Sequence, residues 1–236
     1  LSILGWPGNP TAQNNVALLD QRLAIEWVRD NIENFGGDPT RITLVGQSAG
    51  AASIDFHSYA WSSDPIASGI ILESGSTRLY PVKAENDSAA AWYNVSSTVG
   101  CGDASTDPTT LLSCMRTMDV DSLLAVVPQG GVNAFVSAFG PTIDNTLIFS
   151  NYSEETPASI PVLAGDNDYE SGFFRTEFAL FGQTLPDSLW DAYDLAAYTC
   201  PSGNRANVSL AAGNPTWRYR YFGVFPNTNI SSEGGA

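Results

Sequence analysis

Histidine is nearly absent: one residue in 236, His57. Lysine is as scarce, with Lys83 alone, so nine of the ten basic residues are arginine. Against them stand 25 acidic residues, and the formal charge is −15. So few cations exclude a nucleic-acid binder, whose phosphate contacts need clustered Lys and Arg. They also exclude an anionic membrane surface as a partner, and they fit a self-repelling acidic exterior. Long apolar runs are missing too, so no transmembrane segment is expected. The first residue is Leu, and no charged stretch leads into an apolar one; a leader is not visible, and the natural N-terminus is expected upstream.

Only three cysteines occur. Cys101 and Cys114 flank the polar, turn-rich GDASTDPTT. A bridge there would close a short loop, worth roughly 3 kcal/mol by chain entropy; two buried thiols are the alternative reading. Cys200 is left over. Five N-x-[ST] sequons, at Asn86, Asn94, Asn151, Asn207 and Asn229, lean towards the secretory route as glycosylation sites. With the cysteine pair they point to a secreted, extracellular protein.

No internal repeat or low-complexity tract interrupts the chain. Residues 14–35 predict an amphipathic helix, with Leu19, Leu23, Trp27 or Val28, Ile32 and Phe35 along one stripe. Asn14 or Asn15 would cap it, and Gly36-Gly37 would end it. Asp38-Pro39 then predicts a turn, with Asp38 and Arg41 or Arg22 as structural ion pairs. The short apolar run 42–45 predicts a strand covered on both faces. A helix over 49–60, strands over 69–74 and 160–165, short helices over 84–126, helices over 171–182 and 186–198, and a strand over 217–222 complete the pattern. Strands alternating with helices predict an α/β domain with a mainly parallel sheet. In the last strand, aromatics alternate with Arg218 and Arg220. The acidic net charge opposes a nucleic-acid platform there.

The sequence between the first strand and its helix carries chemistry. Gly46-Gln47-Ser48-Ala49-Gly50 matches G-x-S-x-G. Small flanks permit a sharp strand-to-helix turn in which a side chain at Gly46 or Gly50 would collide with backbone. Such a turn lifts the Ser48 hydroxyl above the sheet edge as a candidate nucleophile. It also aims the helix N-terminus at the site, so that the Ala49 N–H can stabilise an oxyanion.

The stretch NNVALLDQRLAIEWVRDNIENFGGDPTRITLVGQSAGAAS resembles the nucleophile region of type-B carboxylesterases, the family of cholinesterases and fungal lipases. The resemblance continues through ILESGS (71–76), the Cys101/Cys114 pair, FGPTID (139–144) and PVLAGDNDYESGFF (161–174). CPSGNRA and WRYRYFGVF resemble the secreted fungal branch. It implies an α/β-hydrolase fold, a serine nucleophile and an acid at Glu170, just before the small-residue pair and Phe173-Phe174. That acid would hold an imidazole in the productive tautomer. Asp166 and Asp168 compete for the role, with turn formation as their ordinary use. A calcium loop through Asp166, Asp168, Glu170 and Glu177 is opposed by Ser171, where such a loop needs Gly. The resemblance makes Ser74 a support for the base, against a plain turn serine. Gln47 stands where the cholinesterase branch has Glu, which argues against choline esters.

His57 does not fit as the base. Nine helical residues separate it from Ser48, a rise of about 13 Å, and place it on the opposite side of the helix, whereas a base must come within about 3 Å of its proton. The family order of serine, acid, histidine places the base on a loop after the last catalytic strand, so it is expected beyond Ala236. LSILGWPGNP resembles a strand end and loop inside the family domain, so the Gly-rich loop with the other oxyanion donors is expected upstream.

The expectation is therefore a carboxylic ester hydrolase acting through an acyl-enzyme. Residues 1–236 would form the middle of its α/β-hydrolase domain, incomplete at both ends and inactive alone. No metal or organic cofactor is implied. The partner is a small-molecule or lipid carboxylic ester. The alternatives are a non-catalytic adhesion or binding homologue and an inactive truncated remnant.

Overall fold

The computed structural model describes residues 2–79, 81–127 and 138–225. In chain order its elements are α1 (Ser2–Gly5), α2 (Val16–Asn31) with a 3-10 turn (Ile32–Phe35), β1 (Thr43–Gln47), α3 (Ala49–Ala60) and β2 (Gly69–Glu73). Then follow α4 (Glu85–Thr98), α5 (Pro108–Thr117), α6 (Val120–Val126), β3 (Val162–Asn167), α7 (Ser171–Leu180) and α8 (Asp187–Asp194). A π-turn (Leu195–Thr199), α9 (Cys200–Ala211) and β4 (Thr216–Tyr221) end the series. The chain divides into two compact units, Leu1–Gln21 with Val82–Ser150 and Arg22–Pro81 with Asn151–Ala236.

The second unit holds the sheet. Its four strands lie in the order β1-β2-β3-β4, all parallel. Parallel neighbours need long crossovers, and α3 supplies the one between β1 and β2. Ala51 and Ala52 are buried, and their small size lets α3 lie close to the sheet. Ala51 packs with Ile70, Leu72, Val162 and Ala164 as the core. The α/β-hydrolase expectation is met.

In the first unit, Trp92 and Val95 of α4, Leu111 and Met115 of α5 and Leu123 of α6 pack around Cys101. Cys101 and Cys114 form a disulfide, with Cα atoms 5.6 Å apart; the two-thiol alternative is set aside. The DPTT sequence that looked like a turn also starts α5: the Asp107 carboxylate accepts the Thr110 N–H at 2.9 Å, and Pro108 sits in the first turn, where no N–H is needed.

Several expectations are corrected. The stripe on α2 is not buried: Leu23, Trp27 and Phe35 are 63%, 56% and 72% exposed, whereas Leu18 and Arg22 are buried. Arg22 is compatible with burial because Glu26 and Asp64 neutralise it and the Trp61 ring lies 5.4 Å from its guanidinium. Arg41, not Arg22, pairs with Asp38, at 2.8 Å. Gly36 does end this segment, at φ +81°. β1 is covered on one face only. As the edge strand it turns Leu44 towards the core and leaves Val45 57% exposed. Ser2–Gly5 is a single helical turn, not a strand end. Residues 200–211 form α9, which the sequence pattern did not suggest.

Asn14 or Asn15 was expected to cap α2, and Asn15 is the residue directly before it. Its buried side chain instead ties down the FGPTID segment: Nδ2 donates to the Thr142 carbonyl at 2.8 Å and to Asp144 Oδ2 at 2.8 Å, and Oδ1 accepts the Thr142 N–H at 3.0 Å. Both backbone groups of one buried residue thus rely on one amide. We expect Asn15→Ala to lose about 2 kcal/mol, read by urea unfolding. A loss below a few tenths would mean the segment is held elsewhere.

Candidate active site

Ser48 follows β1 directly and precedes α3, with φ +55° and ψ −120°. A non-glycine residue there stores about 1–3 kcal/mol of strain. The surroundings enforce it. The Ser48 N–H donates to the Glu73 carbonyl at 2.8 Å, and its carbonyl accepts the Ala52 N–H at 3.0 Å. A Cβ at Gly46 would lie 2.5 Å from the Gly50 backbone. The expected collision at the other flank is absent: a Cβ at Gly50 meets nothing within 4 Å. The second obligatory glycine is Gly75, whose Cβ would strike the Ser48 carbonyl oxygen. Sequence reasoning missed Gly75. Its only signal was a small residue between Ser74 and Ser76 at the end of β2. Ala49 is exposed and is the first residue of α3. The first N–H groups of a helix have no intrahelical acceptor and lie at the positive end of its dipole.

Ser74 follows β2 as Ser48 follows β1, at φ +54°. Its N–H donates to the Gly165 carbonyl at 2.8 Å, and its hydroxyl donates to Glu170 Oε1 at 2.5 Å. The same Glu170 oxygen accepts the Asn167 N–H at 2.7 Å. Just beyond it, Ser171 donates its N–H and hydroxyl to Asp194 at 2.6 and 2.8 Å. Burial pushes the Asp194 carboxyl up, and the two bonds from Ser171 oppose that rise. The loop carrying Glu170 is thus fixed on both sides.

The rival acids sit differently. Asp166 is fully buried in β3, bonded to the Thr199 hydroxyl at 2.9 Å and 3.6 Å from Arg218. Asp168 pairs with Arg220 of the neighbouring strand at 2.9 Å. Each carboxylate has its own partner, and among the described residues no group of three or more His, Cys, Asp or Glu is placed to hold a metal ion.

Parallel pairing puts Ser48, Ser74 and Glu170 at one edge of the sheet, beyond the C-terminal ends of β1, β2 and β3. At about 4.8 Å per strand, the backbone positions after β1 and β3 are two strands, or about 10 Å, apart, and the Glu170 carboxylate reaches back to Ser74 at the end of the strand between. The sequence expectation is an imidazole ring that bridges Ser48 and Glu170. His57 is not that ring: it is buried in α3 and stacks on Trp61, with ring centroids 4.3 Å apart. Of the other marked residues, Asn86, Asn94, Asn151 and Asn207 are exposed, and Asn229 lies outside the described residues. Cys200 is exposed at the start of α9. No helix among the described residues is long and apolar enough to cross a membrane.

A parallel sheet with a strained serine between strand and helix defines an α/β hydrolase. The carboxylesterase family profile matches residues 1–221, and the chain belongs to that family. It is 37% identical to secreted lipase 5 of Gibberella zeae over 98% of this chain and 46% of that one. It is 36% identical to chlorogenic acid esterase of Aspergillus niger over 98% of this chain and 44% of the relative. Mouse cholinesterase is 35% identical over 63% of this chain and 25% of its own length. The chain spans less than half the length of these relatives.

Proposed function

We propose that this chain carries the nucleophile and the acid of a secreted serine hydrolase that cleaves carboxylic esters. The observation that carries the reading is Ser48 at φ +55°, held at the head of α3 at the same sheet edge as Glu170. The Ser48 oxygen attacks the ester carbonyl carbon while an imidazole takes its proton. The tetrahedral oxyanion is stabilised by the Ala49 N–H. The imidazolium gives its proton to the leaving alkoxide, and an acyl-serine remains. Water, deprotonated by the same imidazole, then releases the acid and restores the serine. Glu170 orients the imidazole and stabilises its cation. Ser74 and the Asn167 N–H fix the Glu170 carboxylate from one side, leaving its other oxygen for the ring.

That imidazole and the remaining oxyanion donors belong, in this reading, to parts of the complete protein outside Leu1–Ala236. The relatives' names support small-molecule or lipid esters as substrates and an extracellular setting. Gln47 is exposed and uncharged, so this position supplies no negative charge for a cationic alcohol. The exposed sequons at Asn86, Asn94, Asn151 and Asn207 would carry glycans.

The test is fluorophosphonate labelling of the protein from its natural source, with peptide mapping and the deglycosylated intact mass. We expect a mass well above 25.1 kDa and one adduct, on the peptide containing Ser48. An adduct on another serine, or an unreactive protein, would sink the assignment.

A further inference from the structure

The second unit encloses a cavity of about 150 Å³ where the end of α3 meets α9. None of Ser48, Ser74 and Glu170 lines it. Arg205, only 3% exposed, does. Its Nε donates to Asp55 and its Nη2 to the Ser58 hydroxyl, at 3.2 Å. Nη1 is buried and has no hydrogen-bond partner among the described residues. A guanidinium carries five N–H donors and accepts nothing, and a buried donor left unmatched is costly. This nitrogen is therefore a built demand for an acceptor.

The other lining groups answer in the same sense. Tyr59 offers a phenol whose pKa is pushed up to about 12, by burial first and the Asp55 carboxylate second, so it remains a neutral donor. Thr77 adds a hydroxyl, and exposed Arg78 adds a second guanidinium. Glu155 is the one acidic side chain among the described lining residues. With Asp55 it balances the two guanidinium charges, so the cavity does not suit a dianion such as phosphate, while the unmatched Arg205 Nη1 donor calls for one anionic acceptor. At about 30 Å³ per water-sized group, the space admits an anion of a few heavy atoms.

We propose that this cavity binds a small monocarboxylate, with Arg205 Nη1 and Arg78 as its cationic ligands. Calorimetric titration of the complete protein with sodium acetate, at constant ionic strength against chloride, tests this. Saturable one-to-one binding is expected, with a dissociation constant near ~1 mM. Arg78→Ala, at an exposed position, should weaken it at least ~10-fold, about 1.4 kcal/mol. Val208→Trp should abolish it by filling the cavity from α9 while leaving the Asp55–Arg205 pair intact. Circular dichroism shows that each variant is folded. If Val208→Trp does not fold, Arg78→Ala decides alone. Non-saturable heat, equal binding of chloride, or wild-type affinity in the folded variants would mean that the cavity holds only water. Tighter binding of phosphate than of acetate would overturn the monocarboxylate assignment.

Discussion

Ser48→Ala should lower ester turnover by the complete protein by about a million-fold, the scale seen when a serine nucleophile is removed. Every covalent step of the proposed reaction passes through the Ser48 oxygen, and water activated in its place lacks the fixed approach that the turn provides. Loss of fold is separable from loss of chemistry. Alanine keeps the backbone hydrogen bonds to Glu73 and Ala52, and it keeps the strain at φ +55°. Glycine relieves that strain, worth about 1–3 kcal/mol, against about 0.5–1 kcal/mol of extra chain entropy. Ser48→Gly should therefore be as inactive as Ser48→Ala and melt at a higher temperature. Turnover retained in either variant would remove Ser48 from the mechanism. A glycine variant less stable than the alanine variant would show that the turn is not strained.

Asp55→Ala should cost about 4 kcal/mol of stability, as when one partner of a buried ion pair is removed. Asp55 is fully buried, and its carboxylate meets three elements: Arg205 of α9, Ser58 of α3 and, at 2.8 Å, the Thr77 N–H beyond β2. Alanine would leave a buried guanidinium without its counterion. Asp55→Leu combined with Arg205→Met should recover most of the loss, because the cost lies in the orphaned charge and not in the missing attraction. Urea unfolding of the single and double variants reads both figures. A single variant that loses under 1 kcal/mol would show that solvent reaches Arg205. The pair also matters to the site. Thr77 follows Ser74 and Gly75, so Asp55 anchors the β2 loop to the helix that begins at Ala49.

What the sequence determined by itself is local. The strand, the GQSAG turn and the following helix were legible because a short β-rich run, small flanking residues and a helix former stand next to one another, and backbone sterics allow few other paths. The Cys101–Cys114 bridge was legible for a similar reason, as a short loop between two cysteines. Gly36 ended its helix where a left-handed residue was needed.

Tertiary structure decided what depends on neighbours distant in sequence. The apolar stripe of α2 fixed the period of the helix but not which side is covered, and the buried line runs instead through Leu18 and Arg22. α9 was hidden because its buried positions are Pro201, Ser202, Arg205, Ala206 and Ser209. Their spacing is helical, yet their residue types are polar, small or proline, so hydrophobic periodicity gave no signal. Arg205 becomes a core residue only because Asp55, 150 positions earlier, is folded against it. Gly75 is obligatory only because the Ser48 carbonyl lies over it. Asn15 stays at the start of α2, but its side chain bonds the Thr142 backbone, 127 residues away, which offers a matched donor and acceptor in a buried place. In each case a long-range contact outweighed a local preference worth about 1 kcal/mol.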